Sequence, residues 1–273
     1  MPYSSGMEVG DTLNATLTGP SGTPVLVFVH GFGCGREMWR LVAPAFSDDF
    51  RVVLLDLPGS AAADPSTYDP VRHASLDGYA EDVLKVLDEL GLDDVTFVGH
   101  SVASMIGVLA HLAAPTVVTR LVMVSPSACY VDDGEYVGGF SASDIDDLLT
   151  TMERNQLGWQ AAVAGMVAGA GHEEARTELE DAFCRTRPDV ALQFAEVTFR
   201  GDNRADLPHV SAPTLVLQVR DDVIAPMTAG EFIHRQITGS VMRVLETRGH
   251  APHLTNPDEV VSAIRDFLPV GVT

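Results

Sequence analysis

The chain of 273 residues is 46% hydrophobic and 20% charged, ordinary proportions for a globular α/β unit with room for an inserted subdomain. Its 38 acidic against 17 basic residues give a formal charge of −21, with Lys85 the sole lysine; such a surface repels nucleic acid and anionic membranes, and it reads as solvating rather than as built for a cationic partner. No apolar run reaches the roughly 18 residues of a membrane span, Met1 to Gly6 has neither the basic nor the apolar region of a secretory signal, and Cys34, Cys129 and Cys184 are widely spaced with no CxxC pair, so a cytoplasmic protein with buried, unpaired cysteines is expected.

The opening residues are rich in Gly, Ser and Thr, and the alternation over residues 12–17 suits one edge strand before the turn Gly19-Pro20-Ser21-Gly22. Val25-Leu26-Val27-Phe28-Val29 is apolar throughout and too short for a helix, as in a parallel strand buried on both faces. It runs into the glycine-rich loop His30-Gly31-Phe32-Gly33-Cys34-Gly35, a helix predicted over 37–45, and a second buried strand at Arg51-Val52-Val53-Leu54-Leu55, the spacing of a βαβ unit. Residues 60–74 read as a surface loop, and apolar positions at Tyr79, Val83, Val86, Leu87 and Leu90 predict a helix over 76–90 stopped by Gly91. A strand over 95–98, a helix over 102–112 and a strand over 120–124 continue the alternation, which means a parallel sheet with helices on both faces. From 129 to 204 the rhythm changes to four helical segments, 144–154, 158–169, 173–187 and 189–199, read as a helical cap inserted into a core made of 1–128 and 205–273. A strand over 213–219, a helix over 228–236, a strand over 240–245 and a closing helix over 257–268 complete the pattern.

The chemistry gathers around Val98-Gly99-His100-Ser101-Val102-Ala103. A strand that turns sharply into a helix lifts one side chain above the sheet edge, and Gly99-x-Ser101-x-Ala103 is GxSxG with alanine at the second glycine. A serine hydroxyl needs a base, and the base needs a group to fix its tautomer. Two later strands deliver Asp222 and His250 just past their C-terminal ends, the edge where open α/β sheets place ligands, in the order serine, acid, histidine. Asp221 adjoins Asp222 and His253 follows His250; Asp222 is favoured because Asp-x-x-x-Pro, from Asp222 to Pro226, resembles the acid loop of α/β-hydrolases, and His250 because Gly249 gives its backbone room, leaving His253 behind the site or facing the cap. Oxyanion donors are expected from the backbone N–H of Val102, which follows the nucleophile, and of Phe32 in the early loop. His30 and His100 flank the site, but nothing completes a metal-ligand set around them; His111, His172, His209 and His234 read as surface or helix histidines. No metal or cofactor is implied.

With these pieces in place the chain resembles the α/β-hydrolases typified by the bacterial stress-response regulator RsbQ, with the plant strigolactone and karrikin receptors as relatives. The resemblance rests on His30-Gly31-Phe32-Gly33-Cys34, Val98-Gly99-His100-Ser101-Val102, Leu121-Val122-Met123-Val124, Cys129-Tyr130, Tyr136-Val137-Gly138-Gly139-Phe140, Gly158-Trp159, Ile224-Ala225-Pro226 and Arg248-Gly249-His250-x-Pro252-His253. It implies the α/β-hydrolase fold, a V-shaped four-helix cap over a small hydrophobic pocket, and a triad of Ser101, Asp222 and His250. Phe140, Trp159, Val163 and Phe194, with Phe32 and Val102, are the pocket candidates. The implied activities are hydrolysis of a small apolar ester or butenolide-like lactone, and ligand sensing coupled to a partner phosphatase. The sequence departs from the family pattern at Ala103 and in Ser60-Ala61-Ala62-Ala63-Asp64, which lacks the usual Gly-x-Ser. A dehalogenase or epoxide hydrolase is disfavoured because those place an aspartate where Ser101 stands; a haloperoxidase-like activity stays open.

Overall fold

A computed structural model describes residues 7–8, 13–60, 62–155 and 158–269; residues 1–6, Thr12 and Ala61 of the readings above lie outside them. Eight strands form one sheet: β1 (Met7–Glu8), β2 (Thr16–Thr18), β3 (Val25–Val29), β4 (Arg51–Leu55), β5 (Val95–His100), β6 (Val118–Val124), β7 (Thr214–Asp221) and β8 (Val241–Arg248). Their spatial order is β1-β2-β4-β3-β5-β6-β7-β8, with β1 and β2 antiparallel additions at one edge and every pairing from β4 to β8 parallel.

The alternation of side chains across the pleat divides the core in two. Val25, Val27 and Val29 of β3 face one way with Phe97, against α1 (Leu76–Glu89), α2 (Val102–Ala113) and α7 (Met227–Gln236). Leu26 and Phe28 face the other way, against Trp39, Phe46 and the Val260–Ile264 face of α9 (Pro257–Phe267). Between β6 and β7 come α3 (Ala142–Arg154), α4 (Trp159–Ala168), α5 (Glu173–Arg185) and α6 (Pro188–Arg200), which enclose a third apolar cluster with Cys34, Met38, Tyr130 and Leu254. A short helix, α8 (Pro252–Thr255), follows β8. No helix among the described residues is long and apolar enough to cross a membrane.

Several local expectations are corrected. The helix expected over 37–45 is two 3-10 segments, Arg36–Trp39 and Ala43–Phe46. Met38, Trp39, Val42 and Phe46 have helical spacing, but Pro44 lacks the N–H that a continuous α-helix needs there. The edge strand starts later, at Thr16, because Leu13 and Asn14 both take positive φ in a turn. The 60–74 loop is not wholly superficial: His73 is buried and bonded through Nε2 to Asp82 Oδ2 at 2.8 Å. Cys34 and Cys129 are buried, whereas Cys184, on the outer face of α5, is exposed. Of the two readings given for His111, surface or helix, the helix one holds: it lies in α2 as a buried strut, with Nδ1 2.8 Å from the Val118 carbonyl.

Candidate active site

Ser101 stands between the end of β5 and the first turn of α2, with φ 56° and ψ −125°. A non-glycine residue rarely adopts positive φ, and here the strain is fixed by the surroundings. The Ser101 N–H donates to Val124 O at 2.8 Å, and the Ser104 N–H donates to Ser101 O at 2.9 Å. Glycine is required at Gly99: a Cβ there would lie 2.6 Å from the carbonyl carbon and oxygen of Ala103 and 2.8 Å from Ser104 N. The demand for a small residue falls on the Gly99 side chain and the Ala103 backbone. The methyl group of Ala103 is buried in the core, so alanine at this position leaves the turn intact.

Ser101 Oγ lies 2.7 Å from His250 Nε2, and His250 Nδ1 lies 2.7 Å from Asp222 Oδ2. All three residues are buried. The other carboxylate oxygen of Asp222 accepts the N–H groups of Ile224 and Ala225 at 2.8 and 3.0 Å, which aims Oδ2 at the ring. Asp222 therefore fixes the proton on Nδ1, leaving Nε2 to accept from the serine hydroxyl. Asp221 points away, its carboxylate exposed and 3.2 Å from Arg248 Nε.

A fourth group on Ser101 escaped the sequence reading. The Tyr130 hydroxyl lies 3.1 Å from Ser101 Oγ. Since the serine proton is directed to His250, Tyr130 is the donor; burial pushes its phenol up, so it keeps its proton. The only sequence signal was its adjacency to Cys129 in a family-like stretch.

The early loop is braced from both sides. Leu57 N–H donates to His30 Nε2 at 2.9 Å, which leaves the ring proton on Nδ1 to donate to Gly31 O at 2.9 Å. Arg36 N–H donates to the buried carboxylate of Asp56 at 2.8 Å. Between these struts Cys34 N–H closes a turn on Gly31 O at 3.3 Å, a bond that does not use the Phe32 N–H. Val102 is the first residue of α2, so its N–H is one of the helix's free donors, at the positive end of the dipole.

The Phe32 ring is held by four others, with centroids 5.7 Å away at Phe194, 5.9 Å at Phe199, and 6.1 Å at Trp159 and Phe183. Trp159 stacks on Phe183, while Phe140 and Val163 are partly buried against the same cluster. Phe194 lines a small cavity with Phe32, Val190 and Ala191, and on its other side it stacks on Tyr79 at 4.7 Å and joins the main core. Phe183 and Phe199 were missed because sequence periodicity reveals a buried face but not its partner.

His253 lies behind the site, its ring 4.7 Å from Trp39 and 4.3 Å from His100. Burial first, then the charges of His250 and Arg40, push it down to about 3. His100 is also held well below the ordinary histidine range, chiefly by burial, and its Nε2 donates to the His250 carbonyl at 2.8 Å. Both rings are neutral struts at neutral pH.

A family model described as "Alpha/beta hydrolase family" matches residues 26–263. The karrikin insensitive 2 receptor CA of Petunia hybrida is 37% identical over 246 residues, covering 89% of this chain and 91% of the receptor. Strigolactone esterase D14 of Arabidopsis thaliana is 33% identical over 260 residues, 95% of this chain and 97% of that one. The structure of olei00960, a hydrolase from Oleispira antarctica, superposes with a TM-score of 0.91 at 34% identity, covering 94% of each chain. This chain belongs to the alpha/beta hydrolase family.

Proposed function

We propose that this hydrolase cleaves a small apolar ester or lactone through an acyl-enzyme on Ser101. The observation that carries the reading is the relay of two 2.7 Å contacts from Asp222 through His250 to a serine held at positive φ. Ser101 Oγ attacks the carbonyl carbon while His250 Nε2 takes its proton. The imidazolium then protonates the leaving oxygen, and Asp222 stabilises its charge. Water, deprotonated by the same nitrogen, attacks the acyl group and returns the proton to Ser101, so that ester and water become acid and alcohol, or one hydroxy acid from a lactone. The N–H groups of Phe32 and Val102 are assigned to the developing oxyanion, each donor being commonly worth about 10²–10³ in rate. Helices α3–α6 serve as a cap, and their aromatic lining around Phe32 favours an apolar acyl group. Short-chain p-nitrophenyl esters and γ-lactones test this: turnover that survives both Ser101→Ala and His250→Ala would reject it.

A second reading, a ligand sensor with slow turnover that acts on a partner phosphatase, is favoured by the 37% identity to a receptor and by the Tyr130 hydrogen bond to the nucleophile. Rapid turnover together with a purified-protein capture that retains no phosphatase would reject it.

A further inference from the structure

His250 hangs between two bodies. Its carbonyl accepts from His100 Nε2, which belongs to the sheet, at 2.8 Å. Its N–H donates to the carbonyl of Val167, in the last turn of α4, at 2.7 Å. The last carbonyls of a helix have no intrahelical partner, so this one is available to a neighbour. The approach is main chain on main chain: a Cβ on Gly249, at φ +87°, would lie 2.2 Å from Ala168 O. Likewise a Cβ on Gly169, at φ +77°, would lie 2.8 Å from Gly249 N.

We infer that the C-terminal end of α4, through Val167 O and the close packing of Gly169 on Gly249, is a positioning element for His250, so that displacement of α4 withdraws the base from Ser101. The inference rests on His250 being the base of the proposed reaction. Motion of the helical segment then controls proton transfer itself, beyond admitting substrate or excluding water. The geometry makes the coupling tight, because a misplacement of about 1 Å in a catalytic constellation costs on the order of 10² in rate.

Two neighbouring glycines provide the test. Gly169 and Gly171 both have positive φ, so alanine strains either; only Gly169 has neighbours within 4 Å. With p-nitrophenyl butyrate as substrate, Gly171→Ala is expected within about two-fold of the parent. Gly169→Ala, assayed below its melting transition, which the clash with Gly249 lowers relative to that of Gly171→Ala, is expected to lose about 10- to 100-fold in kcat with KM changed by less than about three-fold. In a His250→Ala background, Gly169→Ala should leave the residual rate unchanged, since no base remains to be positioned. Hydrogen exchange of the unaltered protein gives a reading that needs no variant: the His250 amide should exchange together with the last turn of α4 and faster than β8. Equal kcat for the two glycine variants, an additive loss in the His250→Ala background, or His250 exchanging with β8 would each overturn the coupling. If Gly169→Ala fails to fold or the residual rate falls to background, the exchange result decides. Full activity of His250→Ala alone would instead reject the base assignment.

Discussion

Lowering the pH from 7 to 5 should destabilise the fold through the two neutral histidines behind the site. In the unfolded chain each titrates near 6.5; in the folded protein His253 is held at about 3, by burial first and then by His250 and Arg40, and His100 is shifted the same way. Between those values the unfolded chain binds more protons, so stability is fully present above pH 6.5 and falls as pH drops below it. For His253, a folded value of about 3 gives a loss of about 2 kcal/mol between pH 7 and pH 5, at 1.36 kcal/mol per unit. His100 adds to the loss with the same sign. His253→Phe keeps an aromatic ring beside Trp39 and has no proton to bind. Urea unfolding at pH 7, 6 and 5 should show the variant losing about 2 kcal/mol less than the parent over the interval. Parallel pH dependences would refute the reasoning, because groups that do not interact with His253 cancel in the difference and only His100 and His250 beside it do not.

Gly99→Ala forces a methyl group onto the Ala103 carbonyl and should cost about 1–3 kcal/mol with loss of ester turnover, whereas Ala103→Gly should cost only about 1 kcal/mol and keep turnover; melting and steady-state rates check both. Asp222→Asn can keep an oxygen toward Ile224 and Ala225 while its amide N–H₂ faces His250 Nδ1, which puts the ring proton on Nε2; kcat should fall by about 10⁴ with the fold unchanged by circular dichroism. Tyr130→Phe removes a hydrogen bond that weakens as Oγ becomes an ester oxygen, so acylation by a p-nitrophenyl ester, followed by stopped flow, should speed up by about 2- to 10-fold, and a slower rate would make Tyr130 a transition-state donor instead.

The parallel strands were legible because burial on both faces makes continuous apolar runs: β3 and β4 occupy the residues expected, and β5 covers the expected run and continues through Gly99 to His100. The residues that meet at the sheet edge could be read as well, since strand ends fix where Ser101, Asp222 and His250 emerge. What could not be read was which surfaces face each other. Met38, Trp39, Val42 and Phe46 satisfy a helical period while folding as two 3-10 turns. His111 looks like a polar helix residue until its buried partner is known. Phe194 meets Tyr79 as well as Phe32, while Phe183 of α5 and Phe199 of α6 also reach Phe32. Tyr130 touches Ser101 across 29 residues of chain, a contact no local pattern encodes.

In the proposed reaction Ser101 is a nucleophile activated by His250. Treating the protein with a fluorophosphonate probe and mapping the adduct by peptide mass spectrometry tests it most directly. One phosphonylated residue is expected, Ser101, with labelling abolished in Ser101→Ala and slowed by at least about 10²-fold in His250→Ala. Labelling elsewhere, or at an unchanged rate without His250, would contradict it.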